Sequence, residues 1–437
     1  MRGRHIAVVG MGYVGLPTAL SLADGGAQII GCDISETRIA EIKSGRVDLL
    51  DRDHARLARH LEADRIELTS ETSATTDAEI VVICVPTPID AHQTPDLTAL
   101  RSACESTVAN AMMGQSVVLT STTYVGCTRD LLIRPLETLG FRAGRDVFVA
   151  FSPERIDPGV EAHVPTLTPR VVGGATVACG ERAAEVMRHT AQQTHIVSSP
   201  EAAEMTKLLE NTFRAVNIAL ANELSDAARE LKVDILEVIG AATTKPFGFM
   251  PFYPGAGVGG HCIPCDPHYL LWQLRARRLD SPVVNTAMAA IVARPREIAR
   301  RAREVLGETG RQILGAKVLV LGVTYKPGVA DLRESPALSI LDELASAGAL
   351  VSFADPLVES LHTPNSRYLE CEKNPQSAAW DLVVVHTVHP AEDYTWLARQ
   401  PAVLDPSGRI RDMTRPYLPS ARCKCEEAIT PNETTLG

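Results

Sequence analysis

Short apolar runs rich in valine and isoleucine recur along the first half of the chain, at 5–10, 28–33, 80–86, 116–121 and 147–152. Between them lie stretches with helical spacing of apolar residues. Alternation of this kind predicts a parallel sheet with helices on both faces, because parallel strands need long crossover connections. Runs at 171–174 and 195–198 supply the last strands of this unit. The pattern changes at Ser199-Pro200-Glu201, which reads as a helix start with a capping hydroxyl, a first-turn proline and an acid behind it. Neither glycine nor proline occurs from Glu201 to Leu231, so one long spine helix is expected there. Helical pattern resumes over 282–306, with Pro295 expected to interrupt it. Strand–helix alternation then returns at 317–323, 350–354, 381–386 and 402–405. The chain therefore reads as an α/β unit over 1–198, a helical unit over 199–311 and a smaller α/β unit over 312–437. Its end beyond about residue 418 has little to bury and is expected to be loose.

Composition narrows the function. A chain of 437 residues has room for two or three domains with sizeable cores. Its net charge of −10 argues against a nucleic-acid partner, which would want a basic stripe. The N-terminus runs straight into a short apolar strand, and no apolar run approaches the roughly 18 residues of a membrane span. Ten cysteines, several in apolar surroundings (Cys32, Cys84, Cys179), suit reduced thiols better than a disulfide framework. The expected compartment is the cytoplasm, with no membrane partner.

The strongest local motif is Gly10-Met11-Gly12-Tyr13-Val14-Gly15, which follows a strand and opens a helix. Its glycines allow a tight turn and close approach of backbone to a pyrophosphate at a helix N-terminus. The second strand ends in Asp33, eighteen residues after Gly15. A carboxylate there accepts from a ribose diol and repels a 2′-phosphate, favouring NAD over NADP, although Arg38 stands close enough in sequence to reach the same ribose. The fold class is thus α/β, with two Rossmann-like doubly wound domains joined by a central helical one. Three further strand ends carry polar turns at the carboxyl edge, where ligands of such sheets sit. They are Val85-Pro86-Thr87-Pro88, Ser121-Thr122-Thr123 and Ser152-Pro153-Glu154-Arg155-Ile156-Asp157-Pro158-Gly159. Each by itself is as readily a capped loop.

Gly255, Gly257, Gly259 and Gly260 crowd just ahead of His261-Cys262-Ile263-Pro264-Cys265-Asp266-Pro267-His268. So many glycines beside one thiol mean that backbone passes close to something, and Cys262, four residues before a carboxylate, is a plausible nucleophile. The same segment offers a crowded set of zinc ligands or a Cys-x-x-Cys redox pair, but it has no second ligand cluster and no thioredoxin-like context. No metal is expected, and Cys265 is expected to pack. Lys207 and Asn211, four apart on the spine helix, share a face. Lys326 and Arg333 follow a strand of the last unit and suit a phosphate.

Together these residues resemble the nucleotide-sugar 6-dehydrogenase family, which includes UDP-glucose and UDP-N-acetylhexosamine dehydrogenases. The resemblance extends to about residue 410. Gly260-His261-Cys262-Ile263-Pro264 looks like its acetamido-sugar branch, and the stretch from Thr244 to Pro254 looks most like the UDP-N-acetylglucosamine 6-dehydrogenases. Ala256 departs from that branch, which usually has proline. The resemblance implies an NAD domain, a dimerising helical middle and a C-terminal UDP-sugar domain. It implies that Cys262 is the nucleophile, that Asp266 and Lys207 handle the alcohol proton through a water, and that Lys207 with Asn211 stabilises oxyanions. Glu154 would assist thioester hydrolysis, and Thr122 would hold water and cofactor. The cofactor side would comprise Gly10, Gly12, Tyr13, Val14, Gly15, Asp33, Arg38, Val85, Pro86, Thr87, Ser121 and Arg333. The substrate side would comprise Glu154, Arg155, Lys207, Asn211, Tyr253, Gly255, Gly257, Gly259 and Lys326. UDP-N-acetylmannosamine, UDP-N-acetylgalactosamine and UDP-glucose remain alternative substrates. A two-electron alcohol dehydrogenase or epimerase with a structural cysteine is the rival enzyme class, and a nucleotide-sugar sensor the non-enzymatic one.

Overall fold

The computed structural model describes residues 3–47, 49, 51–90, 92–155, 167–390 and 392–410. The second half of the turn at 152–159 and the tail beyond 418 lie outside the described residues.

The first unit runs β1 (His5–Val9), α1 (Gly15–Asp24), β2 (Gln28–Cys32), α2 (Glu36–Lys43), α3 (Asp51–Glu62), β3 (Ile66–Thr69), β4 (Ile80–Ile83), α4 (Thr98–Ala109), β5 (Ser116–Leu119), α5 (Arg134–Thr138), β6 (Phe148–Phe151), β7 (Arg170–Gly174), α6 (Val177–Met187) and β8 (Thr194–Val197). Its sheet has the order β3-β2-β1-β4-β5-β6-β7-β8. Chain order reverses beside β1, between β2 and β4, so a crevice opens outside the carboxyl ends of β1 and β4. Residues from alternate sides of each strand feed two separate cores, one on each face. The expectation of a wholly parallel sheet needs correction. β7 runs antiparallel to β6, and β8 is parallel to β7. Side-chain periodicity is the same in either direction, so it could not reveal the reversal. β3 also escaped the sequence reading, because its four residues expose Glu67 and leave only two buried apolar positions.

The helical unit holds α7 (Pro200–Glu230), α8 (Ile235–Thr243), α9 (Cys262–Ala276) and α10 (Pro282–Glu308). Ser199 caps α7 by accepting the Ala202 N–H at 3.2 Å. At 31 residues α7 spans about 46 Å. Pro295 does not interrupt α10 as expected. Ile291, Ile298, Ala299 and Ala302 are buried on either side of it, and that packing outweighs the lost hydrogen bond. The last unit has a parallel sheet of order β10-β9-β13-β14, from β9 (Lys317–Leu321), α11 (Pro336–Ser346), β10 (Leu350–Ala354), a hairpin of β11 (Ser360–His362) and β12 (Tyr368–Glu370), β13 (Leu382–Val385) and β14 (Val403–Leu404). The core of this unit takes in Ala256 and the C-terminal half of α10. No helix among the described residues is long and apolar enough to cross a membrane.

Candidate active site

The turn after β1 is built around its glycines. Gly10 has φ +90° and donates its N–H to Cys32 O at 2.8 Å; a Cβ there would stand 2.9 Å from Cys84 O. A Cβ on Gly15 would collide with Gly10 O, whereas the position beside Gly12 is open. Asp33 accepts the Met11 N–H at 2.9 Å, and Arg38 Nε donates to Met11 O at 3.0 Å. Both residues therefore brace the glycine turn from the strand β2 side. Tyr13 and Val14 complete the entry to α1. Across the crevice, Ser121 Oγ donates to Val85 O at 2.8 Å, and the Tyr269 hydroxyl donates to the carbonyl of buried Thr87 at 3.1 Å. Pro86 is exposed beside them, and Thr122 is half-buried at the end of β5. A glycine turn at a helix N-terminus, open at Gly12 and flanked by a carboxylate, fits a dinucleotide.

A second group forms where α7 packs on α9. Lys207 and Asn211 both lie on the buried face of α7. Lys207 Nζ donates to Glu154 O at 2.9 Å, and the Asn211 amide donates to the Asp266 carboxylate. Asp266 is 2% exposed. Burial pushes its pKa up to about 6, against the Lys207 charge and the Asn211 hydrogen bond, which favour the carboxylate. Cys262, the first residue of α9, is exposed to solvent on one side. Protein packed around its sulfur and the Asp266 charge raise the thiol pKa, while Lys207, Arg214 and Arg333 pull it down. Cys265 is buried and its thiol is held high, chiefly by burial, to about 12, so it packs as expected.

Glu154, just past β6, is bound by a residue the sequence reading missed: Arg170 Nη1 lies 2.5 Å from Glu154 Oε2. Arg155 is engaged by Glu210 on α7 at 2.5 Å and by Pro169 O at 2.8 Å. Those partners anchor the 152–155 turn against α7, and no sequence spacing signalled them.

The glycine segment before Cys262 lies between the helical and C-terminal units. Asn222 Oδ1 accepts the Gly255 N–H at 2.9 Å, and buried Arg294 donates to Gly255 O at 3.1 Å while pairing with Asp226 at 2.6 Å. A Cβ on Gly257 would stand 2.6 Å from Pro336, and one on Gly259 would stand 2.6 Å from Tyr325. The close approach expected from the glycines is thus to the C-terminal unit. Gly260 N–H donates to Arg333 O at 3.0 Å, and the Arg333 guanidinium, paired with Asp331 at 2.6 Å, sits 5.0 Å from the centre of the Tyr13 ring. Arg333 therefore links the cysteine segment to the dinucleotide turn. Lys326 is half-buried in the turn after β9, where the Thr324 hydroxyl donates to its carbonyl at 3.0 Å, and Tyr253 is exposed.

The chain matches three models of the UDP-glucose/GDP-mannose dehydrogenase family: the NAD binding domain over residues 4–191, the central domain over 201–290 and the UDP binding domain over 319–414. It is 34% identical to a UDP-N-acetyl-D-glucosamine 6-dehydrogenase of Pseudomonas aeruginosa, over 89% of this chain and 91% of that protein. It is 33% identical to a UDP-N-acetyl-D-mannosamine dehydrogenase of Pyrococcus horikoshii, over 88% of this chain and 90% of that protein. A solved UDP-D-ManNAc dehydrogenase structure from Pyrococcus horikoshii superimposes with a TM-score of 0.80 at 32% identity, covering 88% of this chain and 90% of the other.

Proposed function

The chain belongs to the UDP-glucose/GDP-mannose dehydrogenase family, and on that premise we propose that it oxidises the 6-hydroxyl of a UDP-N-acetylhexosamine, foremost UDP-N-acetylglucosamine, to the carboxylate through Cys262. The observation that carries the reading is the buried Asp266–Asn211 pair one helical turn from the Cys262 thiol, with the Lys207 ammonium on the same α7 face.

Bound NAD supplies the hydride acceptor for each of the two oxidations. Gly10, Gly12, Tyr13, Val14, Gly15 and Asp33 would hold it, with Arg38, Val85, Pro86, Thr87, Ser121, Thr122 and Arg333 around them. Asp266, aided by Lys207 and a water, takes the proton of the alcohol as its carbon is oxidised. Cys262 Sγ then adds to the aldehyde carbon and keeps the half-oxidised sugar in place as a thiohemiacetal. Oxidation of that adduct gives a thioester on Cys262. Water attacks its carbonyl carbon, Glu154 receives the water's proton, the C–S bond breaks and the thiol is restored. Lys207 and Asn211 face the oxyanions that form, a contribution worth about 3 kcal/mol in a dry site. Tyr253, Gly255, Gly257, Gly259, Arg155 and Lys326 complete the substrate side.

We further propose that the three units, 1–198, 199–311 and 312–437, serve as NAD, dimerisation and UDP-sugar domains. Met205, Leu209, Phe213, Leu220 and Leu224 form an exposed apolar stripe along α7, which supports a homodimer. Unpaired cysteines among the described residues support a cytoplasmic setting. The acetamido sugar is supported by the 244–254 stretch and the His261-Cys262 pair. The relative named for UDP-N-acetyl-D-mannosamine supports that epimer as the second reading, and the Ala256 departure weakens the first. Supplying UDP-N-acetylglucosamine, UDP-N-acetylmannosamine, UDP-N-acetylgalactosamine and UDP-glucose in turn, with NADH release as readout, decides the matter. Two NADH per sugar and the highest kcat/KM on UDP-N-acetylglucosamine are expected; strong preference for UDP-glucose would overturn the branch.

A further inference from the structure

The single antiparallel step in the eight-stranded sheet has a consequence at Glu154. β6 and β7 pair as Ala150↔Gly174 and Phe151↔Gly173. Carried three residues on along one strand and three back along the other, that register sets Glu154 opposite Arg170. A parallel neighbour would have put the start of β7 at the far end of β6. Arg170 is 3% exposed, and its Nη1 lies 2.5 Å from Glu154 Oε2. The contact is an ion pair off the line of the N–H, and Arg170 Nε has no hydrogen-bond partner among the described residues. Nη2 donates to the Met187 thioether at 3.5 Å. An arginine buried this deeply is retained at a cost unless its charge is used.

We propose that Arg170 is a positioning residue for thioester breakdown, holding the Glu154 carboxylate aimed at the site so that it can take the proton of the attacking water. This rests on the assignment of Glu154 to that step. Among the described residues, charged or titratable groups around Glu154 include Lys207, which grips its backbone carbonyl, Glu210 on α7, Arg155 on its own turn, and the Cys84 thiol at the end of β4. Arg155 is already neutralised by Glu210 and Lys207 faces Asp266 as well, so Arg170 is the cation closest to the Glu154 carboxylate oxygens in the contacts above.

The test is rapid-quench kinetics with mass detection of the sugar acyl group on Cys262. In Arg170→Gln the NADH burst persists, acyl-enzyme accumulates, and breakdown slows about 10- to 100-fold. Arg170→Lys keeps the charge and loses the fork, so it slows breakdown only about three- to fivefold. Burst and breakdown falling together, or Arg170→Lys slowing breakdown as much as Arg170→Gln, overturns the proposal. If Arg170→Gln does not fold, Arg170→Lys alone decides: breakdown must slow while the burst does not. Glu154→Gln is run alongside. Normal breakdown in that variant removes the role of Glu154 itself, whereas acyl-enzyme that accumulates in Glu154→Gln but not in the Arg170 variants removes only the role of Arg170.

Discussion

Asn211 on α7 donates its side-chain amide to the carboxylate of Asp266 on α9, and both residues are almost wholly buried. The pair joins the two helices that carry the polar site, and its hydrogen bond favours the charged form of Asp266 against the effect of burial. Because burial raises Asp266 to about 6, kcat is expected to fall as pH drops through about 6, where the carboxylate takes up its proton. Asn211→Ala removes a donor to the charged form and moves this limb to higher pH. The stability sign runs the other way. A carboxyl raised in the folded state favours folding below its ordinary pKa of 3.8, and that contribution is lost as pH rises through about 6. The melting temperature of Asp266→Asn minus that of the wild type should therefore grow between about pH 4 and pH 6; a constant difference contradicts the shift.

Cys262→Ser retains the fold, because the side chain is exposed and at the start of its helix. Its four-electron turnover is expected to drop by at least about 10³-fold, since an alkoxide is far harder to form there than a thiolate. NADH counted per sugar in single turnover is the check. Two NADH per sugar at the wild-type rate would remove the covalent route.

Gly259→Ala puts a methyl 2.6 Å from Tyr325 Cβ and 2.9 Å from Glu334 O. One neighbour is backbone, so the segment or the C-terminal unit must shift. A loss of about 1–3 kcal/mol in stability is expected from denaturant unfolding, together with a higher KM for the UDP-sugar. An unchanged midpoint and KM would show that the two units are not pressed together at this point.

Arg333→Ala removes the guanidinium beside the Tyr13 ring but leaves the backbone hydrogen bond to Gly260 in place. A half-exposed contact of this type is worth about 0.5–1 kcal/mol, which corresponds to a two- to fivefold rise in KM for NAD. KM for the sugar should change less. The reverse split would move Arg333 to the substrate side.

Leu209→Glu places a charge in the exposed stripe of α7 without touching a core position. If the proposed homodimer uses this stripe, sedimentation velocity is expected to show the variant shifted toward monomer relative to the wild type, with the secondary structure by circular dichroism unchanged. Persistence of the dimer would place its interface elsewhere.

Local physics made much of the fold readable from the chain. Strand positions followed from apolar runs, the start of α7 from Ser199 and Pro200, the dinucleotide turn from three glycines that tolerate no Cβ or face open space, and the shared face of Lys207 and Asn211 from a spacing of four. Each of those depends on residues within about one helical turn or one strand. The direction of β7, the passage of α10 through Pro295, the seating of the Gly257–Gly260 segment on Tyr325 and Pro336, and the Glu154–Arg170 pair do not. Periodicity carries no sign of strand direction, helix breaking is a matter of local propensity set against distant packing, and an ion pair between residues sixteen apart exists only once a sheet has brought them opposite each other. The same holds for Asp266, whose type the sequence supplies but whose raised pKa comes from being shut away from water between two helices. Residue types were written in the chain; their charge states and partners were decided by burial, which is a property of the packed molecule.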